Sequence, residues 1–338
     1  MDDDSGNKVS RRGMLARIAA VPALVAAATM PAVANAADVK EKEKQVRAAL
    51  KDAKGTKLVL LGTGAGPVPG RSRHMTSNVM VHNGAAYVLD FGLGVTDQFA
   101  RTGIPFGTVR SIFLTHHHPD HNIELGPFLI IGWIRGLKQS IKAYGPPPLR
   151  QMTEDFLRSA KVTIDFWAED FKMKPLGMID VHELPQPGAV MHDENVTVTS
   201  ILVEHPPVKP AYGYRFDFPD RSIAFSGDTI PLESVAKMAH GADVLVHEAM
   251  DMKAVEFEIR RQIANGQPVS FDTFMKHMKA DHSPVEDVGR IAQEAGVKTL
   301  VLSHLTPSLT SISDEEWRTQ AAKHFKGKII VGHDLMVI

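Results

Sequence analysis

The segment His116-His117-His118-Pro119-Asp120-His121 places four histidines and an aspartate within six residues. An apolar run, Ser111–Thr115, precedes the segment, and a largely apolar stretch, Ile123–Leu137, follows it. This order predicts a loop between a buried strand and a helix. A solvated histidine-rich loop is the alternative, but histidine and aspartate at this spacing are ligands that zinc uses in proteins. The segment therefore predicts a metal-binding loop at the carboxyl end of a strand.

The composition agrees with a folded protein that binds metal without thiolates. Of 338 residues, 43% are hydrophobic and 23% are charged, which excludes a disordered chain, a collagen and a coiled coil. The chain has no cysteine, so disulfides, cysteine nucleophiles, cysteine zinc ribbons and iron–sulfur clusters are excluded. It has 16 histidines. A metal site must therefore be built from histidine and carboxylate side chains.

The first 36 residues resemble a bacterial twin-arginine export signal. Arg11-Arg12 is followed by an alanine-rich apolar stretch, residues 18–33, and then by Ala34-Asn35-Ala36. A membrane anchor is the alternative, but the apolar stretch has 16 residues and contains two prolines, whereas a spanning helix needs about 20 apolar residues. We expect residues 1–36 to be an export signal and residues 37–338 to be a periplasmic or secreted domain with no membrane anchor after cleavage.

The overall charge is close to neutral. The 38 basic and 39 acidic residues give a net charge of −1, and without residues 1–36 the net charge is −2. Binding to nucleic acid usually depends on an excess of lysine and arginine that neutralises phosphates. The charge therefore predicts a small-molecule substrate and no nucleic-acid partner, and it leaves a homo-oligomer possible.

The hydrophobic pattern predicts one α/β domain with two β-sheets packed together and helices outside. Early strands come in pairs, one of them joined at Asn83-Gly84, which is a strong hairpin-turn signal. Later strands alternate with helices. The predicted strands are 57–61, 78–82, 85–91, 111–115, 141–144, 196–203, 212–218, 222–225, 242–246, 299–302 and 328–331. The predicted helices are 38–54, 123–137, 149–171, 254–264 and 285–295.

The pattern H-x-H-x-D-H in residues 116–121 resembles the signature of the metallo-β-lactamase superfamily. Three further matches follow in the order expected for that family, each after a predicted strand: His205, Gly227-Asp228-Thr229 and Ser303-His304. The resemblance implies an αββα sandwich, in which two mixed β-sheets pack face to face with helices outside. It covers nearly all of the chain from Leu58 to the carboxyl terminus.

The resemblance also implies a site for two zinc ions per chain. Two ions bridged by a carboxylate lie about 3.5–4 Å apart, and a hydroxide between them is a nucleophile at neutral pH. We expect Asp120 to be catalytic as well as a ligand, and His117 to be a bystander. The implied ligands are His116, His118 and His205 for the first ion and Asp120, His121 and His304 for the second, with Asp228 bridging both.

Four other segments resemble the ribonuclease Z and arylsulfatase branch of this superfamily. They are Gly62-Thr63-Gly64, Tyr144-Gly145-Pro146-Pro147, His247-Glu248-Ala249 and His282-Ser283. The resemblance implies that His282 is the general acid that protonates the leaving group. A histidine with a pKa near neutrality suits that task.

Three carboxylates are candidates for a supporting role. Asp90 and Glu248 resemble carboxylates that support the metal site, although an ordinary structural role is as compatible with the sequence. Glu286 either orients His282 or closes a helix cap with Ser283.

These residues predict an exported dinuclear-zinc hydrolase of sulfate or phosphate esters. Ribonuclease Z itself is disfavoured by the charge, by the export signal and by the lack of an obvious basic arm. A β-lactam or lactone hydrolase with the same site is the first alternative. An iron-dependent redox enzyme and a metal-free binding scaffold are further alternatives, and the intact ligand set argues against both.

Overall fold

The computed structural model describes residues 36–338, except 52–53, 71, 138–140, 178, 269 and 309–311. Residues 1–35 of the predicted export signal lie outside the described residues. None of the helices within the described ranges is both long enough and apolar enough to cross a membrane.

Fourteen strands run through the described part of the chain and form two seven-stranded sheets. Their bounds are β1 Lys57–Gly62, β2 Ser77–His82, β3 Ala85–Leu89, β4 Val109–Phe113, β5 Lys142–Gly145, β6 Asp180–Glu183, β7 Gly188–His192, β8 Thr197–His205, β9 Val208–Asp217, β10 Ser222–Phe225, β11 Val244–Met250, β12 Thr299–Thr306, β13 Lys328–Val331 and β14 Met336–Val337.

The two sheets repeat one plan. The first has the order β14-β1-β2-β3-β4-β5-β6 and the second β13-β12-β11-β10-β9-β8-β7. Pairs from β14 to β3 and from β7 to β10 are antiparallel. Pairs from β3 to β6 and from β10 to β13 are parallel. Both sheets are therefore mixed, and the predicted fold class is confirmed.

Helices cover the outer faces of the sheets. Their bounds are α1 Ala36–Lys51, α2 Val95–Thr102, α3 Pro119–Asn122, α4 Leu125–Ile134, α5 Leu149–Ser159, α6 Lys161–Asp170, α7 Glu233–Met238, α8 Met252–Ala264, α9 Phe271–Asp281, α10 Val285–Ala295 and α11 Asp314–Ala321. The single helix predicted for 149–171 is divided at Ala160. Helices α2, α3, α7, α9 and α11 and strands β6, β7 and β14 were not predicted from the sequence, and α3 begins inside the segment 116–121, which was predicted to be a loop.

Three apolar layers hold the sandwich together. The layer between the sheets is rich in large side chains from both of them, including Leu60, Tyr87, Phe113, Tyr214 and Phe216. Separate clusters lie between each sheet and its helices. Burial of apolar area of this kind contributes about 25 cal/mol per Å² to the free energy of folding.

The predicted hairpin turn is also present. Asn83 and Gly84 both have positive φ angles, 48° and 75°, as the tight hairpin turn requires.

Helices α8 and α9 lie apart from these three layers. They follow β11 and pack on a small cluster of their own, in which Met250, Val255, Ile259, Met275 and Met278 are buried. Unbranched methionine side chains adapt to irregular spaces. We call these two helices the α8–α9 hairpin. It ends at Asp281, directly before the predicted general acid.

Candidate metal centre

The predicted ligands meet where strands from both sheets end. The segment 116–121 follows β4, and His205 is the last residue of β8. Asp228 follows β10, and His304 lies near the end of β12. Tyr214 of the second sheet donates a hydrogen bond to the Leu114 carbonyl at 2.9 Å and so ties the first ligand loop to the opposite sheet. The sandwich therefore assembles one cluster from four separate segments.

His116, His118 and His205 form the first group of ligand atoms. His118 Nδ1 lies 3.1 Å from His116 Nε2 and 2.9 Å from His205 Nε2. His116 and His205 are buried, and His118 is half-buried. Three imidazole nitrogens at these separations can bind one ion together.

Asp120, His121, Asp228 and His304 form the second group, and all four are buried. His304 Nε2 lies 3.2 Å from Asp120 Oδ2 and 3.1 Å from Asp228 Oδ2. His121 Nε2 lies 3.2 Å from Asp228 Oδ2. The two groups together contain all seven ligands that the sequence resemblance implied.

Asp228 lies between the two groups. Its Oδ2 atom is 3.9 Å from both His116 Nε2 and His205 Nε2 of the first group. The same atom is within 3.2 Å of the His121 and His304 nitrogens of the second group. One carboxylate therefore reaches both sets of nitrogens, which is the position that a bridging ligand requires.

The donor set fits two zinc ions. His121 Nε2 is buried and makes no well-aligned hydrogen bond within the described residues, although Asp228 Oδ2 lies 3.2 Å away. A buried polar atom without a partner costs about 1–3 kcal/mol, and a metal ion accounts for this atom because histidine and carboxylate are zinc ligands. The predicted zinc content stays a prediction, since other divalent metals use the same ligands.

Groups behind the ligands fix their orientation. His121 Nδ1 lies 2.9 Å from Asp90 Oδ2, and Asp90 Oδ1 accepts a hydrogen bond from the Thr115 backbone N–H at 2.8 Å. Asp90 has a positive φ of 63°, a strained backbone for a residue other than glycine. His205 Nδ1 donates to the Asp281 carbonyl at 2.9 Å. Contacts of this kind set which nitrogen faces the metal.

The electrostatics of the first group and of Asp228 favour metal binding at neutral pH. Burial lowers the pKa of His116 and His118, and it lowers the pKa of His205 to about 4. Burial acts to raise the pKa of Asp228, but His304 and His121 outweigh it and hold that pKa well below its ordinary value. The first group is therefore neutral imidazole and Asp228 is ionised, which are the forms that bind metal.

His282 lies beside the cluster and is paired with Glu248. His282 Nδ1 is 2.8 Å from Glu248 Oε2, and Glu248 Oε1 accepts a hydrogen bond from the Thr229 backbone N–H. Burial acts to lower the pKa of His282, but the Glu248 carboxylate outweighs it and raises that pKa to about 9. Glu248 therefore both orients the ring and keeps it protonated.

Glu286 is not part of the site, which corrects both interpretations of this residue. Its carboxylate pairs with Lys323 on the surface. Ser283 donates its hydroxyl hydrogen bond to the Thr229 carbonyl at 2.7 Å, and α10 has no side-chain cap. Glu248 of β11 orients His282, because its carboxylate lies 2.8 Å from His282 Nδ1.

His117, the predicted bystander, is not in either ligand group. Its Nε2 atom lies 2.9 Å from the Pro146 carbonyl.

Comparison with known proteins places this site in a family. The family described as "Beta-lactamase superfamily domain" matches residues 87–305. The ribonuclease Z of Mycobacterium bovis is 32% identical over 282 residues, which cover 82% of this chain and 96% of that protein. The ribonuclease Z of Mycobacterium marinum is 31% identical with the same coverage. The chain belongs to the metallo-β-lactamase superfamily, in its ribonuclease Z branch.

Solved structures of the superfamily share the fold. The metallo-β-lactamase fold protein YhfI of Bacillus subtilis has a TM-score of 0.63 at 18% identity, over 84% of this chain and 100% of that one. The short form of human tRNase Z has a TM-score of 0.60 at 22% identity, over 83% of this chain and 98% of that one.

Membership of the ribonuclease Z branch settles the outcome of two predictions. The prediction of a metal-dependent hydrolase is confirmed, which removes the metal-free scaffold. The prediction of no nucleic-acid partner is wrong, because the relatives that match 82% of the chain are ribonucleases. Net charge was a poor guide here, since bound divalent ions are themselves the largest local positive charges in such a site.

Proposed function

We propose that this protein is a phosphodiesterase with two zinc ions and that RNA is among its substrates. The observation that carries the proposal is the complete seven-residue cluster with the His282–Glu248 pair beside it, in a chain of the ribonuclease Z branch. Sulfate esters were predicted from the sequence together with phosphate esters. The ribonuclease relatives favour the phosphate esters.

The residues of the chain divide the work of ester cleavage between them. His116, His118 and His205 would hold one ion, Asp120, His121 and His304 the other, and Asp228 both. When bound, such a pair of ions supplies Lewis acidity and a water molecule of lowered pKa as nucleophile.

His282 supplies the proton that the leaving oxygen needs. Its Nδ1 atom faces Glu248, so Nε2 is the nitrogen from which it donates. The ring is 13% exposed, which leaves it accessible to a substrate. Glu248 is almost completely buried and acts through His282, as a positioning residue.

A metal count and a substrate panel test the proposal. Protein purified without chelator should contain about two zinc ions per chain, by elemental analysis. It should cleave bis(4-nitrophenyl) phosphate and an RNA oligonucleotide faster than 4-nitrophenyl sulfate, a lactone or a cephalosporin. Asp228→Ala should abolish the cleavage. His192→Ala, which changes an exposed histidine bonded to Thr197, should leave it unchanged.

Other results would contradict the proposal in different ways. Metal well below one equivalent would exclude the two-metal site. Faster cleavage of the sulfate would return the protein to an arylsulfatase-like activity, and faster cleavage of the cephalosporin or lactone would select the carbonyl substrates.

We also propose that residues 1–36 direct export to the periplasm or the medium. The paired arginines, the apolar stretch and Ala34-Asn35-Ala36 support this. Fractionation of cells that express the full chain should find the protein outside the cytoplasm, and Arg11→Lys with Arg12→Lys should retain it inside. An unchanged distribution in the double variant would overturn the assignment.

A further inference from the structure

An open cavity of about 230 Å³ lies next to the metal centre. Three segments line it: the loop 65–68 after β1, the α8–α9 hairpin, and residues 306–308 at the end of β12. None of these segments supplies a ligand of the metal cluster. The cavity therefore needs an explanation of its own.

The lining of this cavity is mainly apolar. Its large apolar side chains are those of Val68, Val255, Ile259, Phe274 and Met278. A surface of this kind gains free energy when an apolar group displaces water from it.

Among the described lining residues, only Glu258 is charged. Its carboxylate is bound by the side chains of Arg261 and Gln262 on the same helix. Arg261 Nη2 donates to Glu258 Oε1 at 2.8 Å, and Gln262 Nε2 donates to the same oxygen at 3.2 Å. The one acidic side chain in the wall is therefore already paired and does not make the cavity a cation site.

Each of the three lining segments contacts or adjoins a residue of the site. The Gly66 backbone N–H donates to Asp120 Oδ2 at 2.7 Å, and a Cβ atom at Gly66 would lie 2.3 Å from the Asp120 Cβ. The Met278 carbonyl accepts a hydrogen bond from the His282 N–H at 3.1 Å. Thr306 follows His304 by two residues in β12. A group in the cavity would therefore lie close to Asp120, His282 and His304 of the site.

We propose that this cavity binds an apolar ester group of the substrate, one aromatic ring or a short alkyl chain. The volume supports this size, because an apolar cavity of roughly 150 Å³ holds benzene, whereas pockets for whole drug-sized ligands measure about 300–1,000 Å³. The inference rests on the proposed phosphodiesterase function. It adds that a diester carrying an apolar group is preferred over a diester between two polar nucleosides.

Substitutions on the cavity wall test the proposal through substrate preference. Val68→Trp should fill the cavity, and it should be tolerated because Val68 is 55% exposed. The measured quantity is the ratio of kcat/KM for bis(4-nitrophenyl) phosphate to kcat/KM for the dinucleotide uridylyl-uridine. This ratio should fall at least about tenfold in Val68→Trp, because full burial of a phenylalanine-sized group changes affinity by roughly 10- to 150-fold.

Two further variants keep the test specific. Phe274→Ala removes a partly buried ring from the cavity wall and should lower the same ratio through a higher KM for the aryl substrate. Phe257→Ala is the matched control, because Phe257 lies on α8, is 60% exposed and does not line the cavity. An unchanged ratio in both cavity variants, or an equal fall in the control, would overturn the proposal.

A binding measurement separates this proposal from the proposed function. Fluorescence titration of the zinc-loaded protein with 2-naphthol should show binding that Val68→Trp weakens at least about tenfold. Equal affinity in the wild type and in Val68→Trp would overturn the cavity assignment. If no phosphodiester is cleaved but 2-naphthol binds and Val68→Trp weakens it, the proposed function fails and the cavity assignment stands.

Discussion

The metal centre and the α8–α9 hairpin are neighbours that are built in opposite ways. The ligands of the metal centre lie near strand ends, with Asp120 and His121 on the short helix α3 that follows β4, and residues such as Asp90 hold ligands from behind. The hairpin rests on a small methionine-containing cluster apart from the main core. The chemistry is therefore supported by both sheets, whereas the adjoining cavity takes much of its wall from two helices. We infer that reactivity and substrate preference can change separately in this protein.

The largest effect should come from removing the group that both metal sites share. Asp228→Ala should lose both ions and nearly all activity, because its Oδ2 atom faces nitrogens of both ligand groups. The loss should exceed the roughly 10- to 100-fold typical of a group that only supports a ligand. His304→Ala should weaken mainly the second ion. Elemental analysis and metal titration of both variants measure this, and equal loss of both ions in His304→Ala would contradict the assignment.

His282→Ala should come next, with bound zinc unchanged. General acid catalysis is worth about 10²–10⁴-fold, so kcat should fall by that factor on diesters with a poor leaving group and far less on nitrophenyl esters. A leaving-group series measures the difference. A uniform loss of kcat would indicate that His282 positions substrate, and a loss of bound zinc would show that it is a ligand.

Glu248→Gln should lower kcat with the same dependence on leaving group but by a smaller factor, because Glu248 acts through His282.

Asp90→Asn tests how strongly the metal centre depends on its supporting groups. The amide keeps the size of the side chain but loses the charge that faces His121 Nδ1. Affinity for the second ion should fall about 10- to 100-fold. Competition with a chromogenic chelator measures it. An unchanged affinity would show that Asp90 serves the fold at its strained position and not the metal.

A substitution inside the hairpin should leave the metal centre intact. Met275→Ala creates a cavity in the small cluster and should cost about 2 kcal/mol, the low end for such a change, because two helices can relax into the space. Hydrogen exchange should become faster in α8 and α9 and stay unchanged in β11 and β12. Faster exchange throughout the sheet would show that the hairpin is part of the global folding unit.

The smallest effect should come from a pair outside both regions. The hydrogen bond to Asp334 raises the pKa of His74, so the charged pair stabilises the fold fully below the unfolded pKa of about 6.5 and is lost as pH rises through the higher folded pKa. His74 is 43% exposed, so solvent screening keeps the effect below about 1 kcal/mol. The Tm difference between wild type and His74→Gln should shrink as pH rises above 6.5. A constant difference would exclude the ion pair as its source.

The sequence by itself determined the chemistry of the ligands and the fold class. Residues 116–121 are contiguous, so one short segment displays four of the ligands with their spacing. Asp228 and His304 follow predicted strands, and the ends of neighbouring strands meet at one edge. The alternation of strands and helices then predicted two packed sheets, as the structure shows. Local periodicity and local spacing predicted the strands and the 116–121 segment, whereas the roles of Asp228 and His304 came from the resemblance to the superfamily.

Only the tertiary structure decided how distant residues pair. Glu248 meets His282 across 34 positions of the chain, while Glu286, four positions from His282, turns away to Lys323. The cavity joins segments from residue 65 to residue 308, and one of its walls, α9, was not predicted at all. Sequence distance says little about such contacts, because packing of the two sheets and their helices, and not local spacing, brings these side chains together.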